Sequence, residues 1–206
     1  MRNLRTFFFY IALLSAWFYI IPNAMGQSFS DDFITDTTAE YTVTNVWTSG
    51  GFGQFLYDAS GKRARVQTGD DISLRFSHAL PASDSGTFSV DFLPTAKFPS
   101  GGWVVIRLVQ DTSNYYEVIN QDGYGAGYIR KVVDGVEVSV TDFQSEYTQN
   151  NTYTVLINFS PASTQVDAFG EVLNISGDSN AIAISSFDVE IGQQHAYFDN
   201  IYYNIN

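Results

Sequence analysis

Asp188 and Glu190 stand two residues apart in Phe187-Asp-Val-Glu-Ile-Gly192, and on a β-strand that spacing puts both carboxylates on one face. Two carboxyls about 5 Å apart can act as nucleophile and acid/base across a glycosidic bond. The competing reading is a solvated outer face, because charged residues alternate with core residues along half-exposed strands. No further acid follows in Gly192-Gln193. The next stretch, Gln193-Gln-His195, holds one of only two histidines. The other, His78, lies between Phe76-Ser77 and Ala79-Leu80-Pro81 and reads as a strand-end residue.

Other chemistries are poorly supplied. Without cysteine there is no thiol nucleophile, and neither Cys pairs nor His-x-x-x-His is present to hold zinc. A Ser-His-Asp arrangement would have to be assembled from distant residues. Ser49-Gly-Gly-Phe-Gly53 and Gly123-Tyr-Gly-Ala-Gly-Tyr128 are glycine-rich but open no helix, so neither is a phosphate cradle.

A binding face is better represented. In Trp103-Val-Val-Ile-Arg-Leu-Val-Gln110, alternation turns Val104, Ile106 and Leu108 one way and Trp103, Val105, Arg107 and Val109 the other. Tyr115, Glu117 and Ile119 share a face of the next segment, as do Tyr128, Arg130 and Val132 after it. If these faces coincide, Trp103, Arg107, Tyr115, Glu117, Tyr128 and Arg130 stand together. Aromatic rings, guanidinium forks and a carboxylate of this kind bind sugars through stacking and charge-assisted hydrogen bonds. The same residues would equally build an Arg-Glu-Arg cross-strand ladder with tyrosines covering its stems. Trp47, Phe52, Phe55 and Tyr57 around Gly50–Gly53 form a second candidate, an aromatic rim loop, unless Trp47 belongs to the core.

The elements that must position these residues are strands. Short runs rich in Val, Ile, Thr, Tyr and Phe alternate with period two between Gly, Asn, Asp and Ser clusters. Strands are expected at Tyr41–Trp47, Arg63–Gln67, Asp71–Phe76, Gly86–Leu93, Trp103–Gln110, Tyr115–Asn120, Tyr128–Val133 and Val136–Val140. Further ones are expected at Tyr153–Phe159, Gln165–Phe169, Glu171–Ile175, Ser185–Gly192 and Tyr197–Asn204. Asp134-Gly135 and Asn120-Gln-Asp-Gly123 read as hairpin turns, and Phe169-Gly-Glu171 as another reversal. The pattern is that of an all-β, two-sheet antiparallel β-sandwich or jelly roll in one domain, residues 27–206.

Residues 1–26 read as a signal peptide: Arg2 and Arg5, an apolar run from Phe7 to Ile21, then Pro22 and the small-residue site Ala24-Met25-Gly26. An uncleaved anchor is the alternative, since the run approaches the roughly 17 residues that span a bilayer. Cleavage leaves 8 basic against 22 acidic residues and shifts the formal charge from −12 to −14. That charge excludes nucleic acid and, once the signal is removed, anionic membrane as partners, because both require clustered Lys and Arg. A secreted, periplasmic or cell-surface location is expected, with stability drawn from a core or a metal because no disulfide is available.

Three stretches, in order, resemble the concanavalin A-like lectin and glucanase superfamily with its laminin G-like members: Phe29-Ser-Asp-Asp-Phe33, the meander from Val104 through Asn114-Tyr-Tyr-Glu-Val to Asp134-Gly-Val136, and Tyr197-Phe-Asp-Asn-Ile-Tyr202. The resemblance implies a jelly roll whose first and last strands lie side by side with a structural calcium between them. Asp199 would then meet the ion with a ligand from Asp31 or Asp32, taken here as Asp32, and a carbonyl from Gly61. Such hard-oxygen ligation suits calcium. Otherwise Asp199 is simply solvated on an edge strand.

The glucanases of that superfamily carry Glu-x-Asp-x-x-Glu or a near variant, which is absent here. Its lyases use Gln-x-His with Tyr and Arg; Gln193-Gln-His195 matches the letters, and Gly127-Tyr-Ile-Arg130 offers a loose partner. The expectation is a non-catalytic module binding a polysaccharide or glycan. A polysaccharide-cleaving enzyme with an atypical site and an adhesive surface protein are the alternatives.

Overall fold

The computed structural model describes residues 28–48, 51–176 and 180–205. The signal-peptide expectation therefore falls outside the described residues, as does Gly50 of the aromatic loop. Two antiparallel sheets face each other. The first runs, in spatial order, β13 (Glu171–Ser176), β12 (Ser163–Ala168), β11 (Tyr153–Phe159), β6 (Gly86–Lys97), β15 (Gln194–Ile205), β4 (Arg63–Gln67) and β3 (Gln54–Asp58). A short β1 (Ser28–Asp31) also pairs with β15. The second sheet runs β10 (Val136–Asp142), β9 (Tyr128–Val133), β8 (Asn114–Asp122), β7 (Gly102–Asp111), β14 (Ile184–Gly192), β5 (Ile72–Ser83) and β2 (Thr42–Thr48).

Period-two alternation places the core between the sheets. Phe88, Val90 and Phe92 of β6 and Ala196, Phe198 and Tyr203 of β15 meet Val104, Ile106 and Leu108 of β7 and Phe187, Val189 and Ile191 of β14. All are fully buried, and each large side chain is worth roughly 1.5–3 kcal/mol of transfer free energy. This core does the work that disulfides perform in smaller domains.

Two hairpins show how local chemistry sets register. Asp134 and Gly135 join β9 to β10 with φ of 51° and 77°, and Phe169 and Gly170 join β12 to β13 with φ of 55° and 85°. Positive φ at both central residues gives the turn handedness that matches strand twist. For a bulky residue such as Phe169 the conformation is costly. Its buried ring, packed against Phe92, Phe143, Tyr147 and Tyr153, holds it there.

Several elements differ from the sequence expectation. β5 continues past Phe76 to Ser83, so His78 is not a strand-end residue; it packs at 4.3 Å on Phe29 and near Tyr41 and Phe187. Pro81 is tolerated because pairing with β14 is irregular there. Phe55 and Tyr57 belong to β3 and pack against the core, so they are not part of a rim loop. Trp47 faces outward, and Phe52 is 79% exposed.

β15 is shared by two neighbours along one edge. β4 pairs with His195–Phe198 and β1 with Ile201–Asn204. Asp199 and Asn200 sit in the gap between them, at an irregularity where Asn200 has φ of 49°.

Candidate functional site

The outer face of the second sheet brings Arg107, Tyr115, Glu117, Tyr128 and Arg130 together, while Trp103, on the same face, lies four residues along β7 from Arg107 beside Gln121. Strand pairing aligns Asp188, Arg107, Glu117 and Arg130 in one crosswise row, with Val109, Tyr115 and Val132 in the next. Glu117, only 2% exposed, lies between two guanidinium groups: Arg107 Nε is 2.6 Å from one carboxylate oxygen and Arg130 Nη2 is 2.7 Å from the other. The Tyr128 hydroxyl donates to the same carboxylate at 3.3 Å. The ladder extends at both ends. Arg75 reaches Glu190 at 2.8 Å and Asp188 at 3.9 Å, Arg107 also approaches Glu190 at 3.6 Å, and Arg130 reaches Glu137 at 3.5 Å. Tyr115 and Tyr128 flank the Arg130 guanidinium, with centroids at 5.9 and 5.3 Å.

This ladder has electrostatic consequences. Burial pushes the Tyr128 hydroxyl up, helped by the Glu117 charge. Asp188 is likewise raised, chiefly by burial and also by Glu190, with Arg75 and Arg107 opposing. Asp188 and Glu190 do share a face, but Glu190 is tied to two arginines rather than left free for acid/base chemistry. On β7 the outward positions Trp103, Val105, Arg107 and Val109 are not acidic, and Asp111 ends the strand past a register irregularity. Beside the ladder lies an open depression of about 230 Å³, walled by Arg75, Arg107, Tyr115 and Asp188 with Asp111 and Thr112 at its end.

Gln193-Gln-His195 has structural partners. Gln194 is completely buried; its amide donates to the Trp103 carbonyl and its side-chain oxygen accepts from Tyr147, both at 2.8 Å. Its own backbone closes on Thr68 from both sides. His195 projects from the first sheet, opposite inward Ala196, whereas Tyr128 and Arg130 project from the outer face of the second. The core therefore separates the two halves of the lyase-like set.

Asp199 is the cross-strand partner of Asp91. Asp91 accepts from the Thr154 hydroxyl at 2.6 Å and the Asn200 amide at 2.8 Å, while Asp199 accepts from the Asn200 backbone N–H at 2.9 Å. Both acids line a cavity of about 110 Å³ with Arg63, Thr152 and Tyr197. The Arg63 guanidinium lies 3.5 Å over the Tyr197 ring and pairs with Asp58 at 3.1 Å. Burial raises the Asp199 pKa, and the charges of Asp91 and Asp32 raise it further, against a backbone hydrogen bond and Arg63.

Like charges directly opposed across a strand pair are destabilising, so two carboxylates with Asp32 nearby suit a cation. Among the described residues no three acidic or histidine side chains converge as a metal cluster. An ion here would complete its shell with carbonyls and water, as calcium commonly does. Asp31 is unsuited to join it, because its carboxylate faces inward and accepts from the Phe33 N–H, the Thr37 hydroxyl and the Tyr41 hydroxyl at 2.6–2.9 Å. Asp32 is exposed, and Gly61 lies in the β3–β4 turn, its N–H on Asp58. Neither Asp32 nor Gly61 lines the cavity. Asp91, which alternation along β6 turns outward with Ser89, is the acid that lines it beside Asp199.

These features define a two-sheet antiparallel jelly-roll sandwich with a charged, aromatic outer face on its seven-stranded sheet. No protein-family model matches the chain, and no curated protein does. Among solved structures it is similar to the β-glucanase of Bacillus licheniformis, at 12% identity and TM-score 0.63 over 88% of this chain and 100% of that one. It is also similar to the CBM2 module of the evolved Dit of Lactobacillus casei BL23 phage J-1, at 13% identity and TM-score 0.61 over 87% and 96%. A third is the carbohydrate-binding module CBM66 from Bacillus subtilis, at 13% identity and TM-score 0.54 over 77% and 92%. These likenesses are of fold.

Proposed function

We propose that this protein is a secreted carbohydrate-binding module that takes its ligand on the outer face of the seven-stranded sheet. The observation that carries the reading is the convergence of Arg107, Tyr115, Glu117, Tyr128 and Arg130 beside an open depression, on a face that also carries Trp103. The ion pairs hold the guanidinium groups in place before any ligand arrives, which lowers the entropy lost on binding. Tyr115 offers a ring face, while Thr112, Asp111 and Asp188 offer hydroxyl and carboxylate partners for sugar hydroxyls. The carbohydrate-binding modules and glucanase with the same fold are in keeping with this ligand class.

A structural calcium is part of the proposal. Asp199 and Asp91 would hold it, with carbonyls and water completing its shell in place of the expected Asp32 and Gly61, which lie outside the cavity, and it would neutralise the opposed acids where β15 passes from β4 to β1. Its contribution is charge neutralisation and tying of the chain ends, not a chemical step.

Affinity gel electrophoresis against neutral and acidic polysaccharides tests the reading. Retardation of the native protein without release of new reducing ends supports it. Absence of retardation, or cleavage lost on Asp188→Asn or Glu190→Gln, overturns it.

A further inference from the structure

One crosswise row of the same outer face carries no charge. Strand register aligns Trp47, Ser73, Gly192, Trp103 and Gln121, one residue from each of β2, β5, β14, β7 and β8. Trp47 and Trp103 are three strands apart, roughly 14 Å at the backbone given the usual interstrand spacing. Their rings nevertheless lie 6.2 Å apart, centroid to centroid, and within 29° of parallel. The two indoles must therefore lean toward each other across the sheet.

The residues between them are small for that reason. A Cβ at position 192 would stand 2.0 Å from the Trp103 ring, so the indole rests directly on the β14 backbone. Ser73, the cross-strand partner of both Trp47 and Gly192, is 1% exposed and its hydroxyl has no hydrogen-bond partner. Tyr124 stands beside Trp103 with centroids 6.4 Å apart and its ring inclined by 63°, and its hydroxyl is anchored on Gln193 at 2.8 Å. Trp47 and Tyr124 remain 44% and 51% exposed.

We infer that Trp47, Trp103 and Tyr124 form a stacking platform for a neutral, ribbon-like polysaccharide running across the strands at the Gly192 end of the sheet. This rests on the carbohydrate-binding reading and names the class of ligand. Aromatic faces take the C–H-rich faces of pyranose rings. The row's lack of charge and the chain's formal charge of −12 select against polyanions. The neighbouring row of Arg75, Glu190 and Val105 then meets the edge of the bound chain, where its hydroxyls project.

The test is affinity gel electrophoresis of the full chain with barley β-glucan, a neutral polymer, and alginate, an acidic one. Trp47→Ala, Trp47→Phe and Tyr124→Ala are run beside the native protein, with melting curves confirming that each is folded. Barley β-glucan is expected to retard the native protein and alginate not. Trp47→Ala should weaken that binding about tenfold, an aromatic contact's worth, and Trp47→Phe should retain most of it. Native-like binding by Trp47→Ala and Tyr124→Ala would overturn the platform and leave sugar binding standing. Stronger retardation by alginate would overturn the neutral assignment, and no retardation by either polymer would remove both the platform and the reading beneath it.

Discussion

Arg107 and Glu117 face each other across β7 and β8, Nε to carboxylate oxygen at 2.6 Å, and Glu117 is 2% exposed. The pair is the centre of the ladder, because Glu117 also holds Arg130. Removing one partner of a buried pair leaves charge uncompensated, at about 3–5 kcal/mol. Arg107 and Arg130 keep side-chain exposures of 21% and 26%, so water recovers part of that. Glu117→Ala is expected to lose about 2–3 kcal/mol in urea unfolding. A loss below about 0.5 kcal/mol would show the ladder to be no stronger than a surface ion pair.

Gly192 lies under the Trp103 indole, leaving no room for a methyl group. Gly192→Ala should lift the ring, change tryptophan emission and near-ultraviolet dichroism, and cost about 1–3 kcal/mol. Unchanged spectra would mean that the indole does not lie flat on the sheet.

The Asp199 pKa is raised in the fold, mainly by burial and then by Asp91 and Asp32. Without an ion, the folded state therefore binds this proton more tightly than the unfolded state. The associated stability is present below the ordinary carboxylate pKa and lost as pH rises through the elevated value. Ion-free protein should melt higher as Asp199→Asn than as native protein at pH 7, the difference shrinking toward about pH 4. Calcium at a hundredfold excess over its Kd should stabilise the native protein by about 2.7 kcal/mol, about 5–10 °C, and the variant much less. Melting that ignores calcium, chelator and the substitution alike would dispose of the ion.

Gln194→Ala removes buried partners from Tyr147 and the Trp103 carbonyl. A loss of about 1–3 kcal/mol per orphaned group is expected in denaturant unfolding. If stability is unchanged and a polysaccharide-cleaving activity disappears instead, the structural role assigned here to Gln194 is wrong.

Period-two alternation made most of this fold legible. Arg63–Gln67, Tyr128–Val133 and Tyr153–Phe159 match their strands to the residue, since each is a half-buried run bounded by turn residues. The glycines before Gln54–Asp58 obscure that strand's pattern, and His78 and Pro81 break the apolar alternation of β5 beyond Phe76. Alternation also assigns Arg107, Glu117 and Arg130 each to one face of its own strand; that the three faces coincide follows from the pairing of β7, β8 and β9. It could not distinguish Asp31, whose carboxylate turns inward to Phe33, Thr37 and Tyr41, from the exposed Asp32. Nor could it place Trp47 over Trp103 or Asp91 opposite Asp199, since those pairings depend on the register of strands distant in sequence.

The most direct test of ligand binding on the seven-stranded face is a nitrogen–proton correlation spectrum of isotope-labelled protein, titrated with an oligosaccharide of barley β-glucan. The account predicts shifts clustered at the indole N–H groups of Trp47 and Trp103, the Arg107 side chain, and the backbone of β7, β8 and β14. Shifts confined to the opposite sheet around Arg63, Asp91 and Tyr197, or none at saturating concentration, would contradict it.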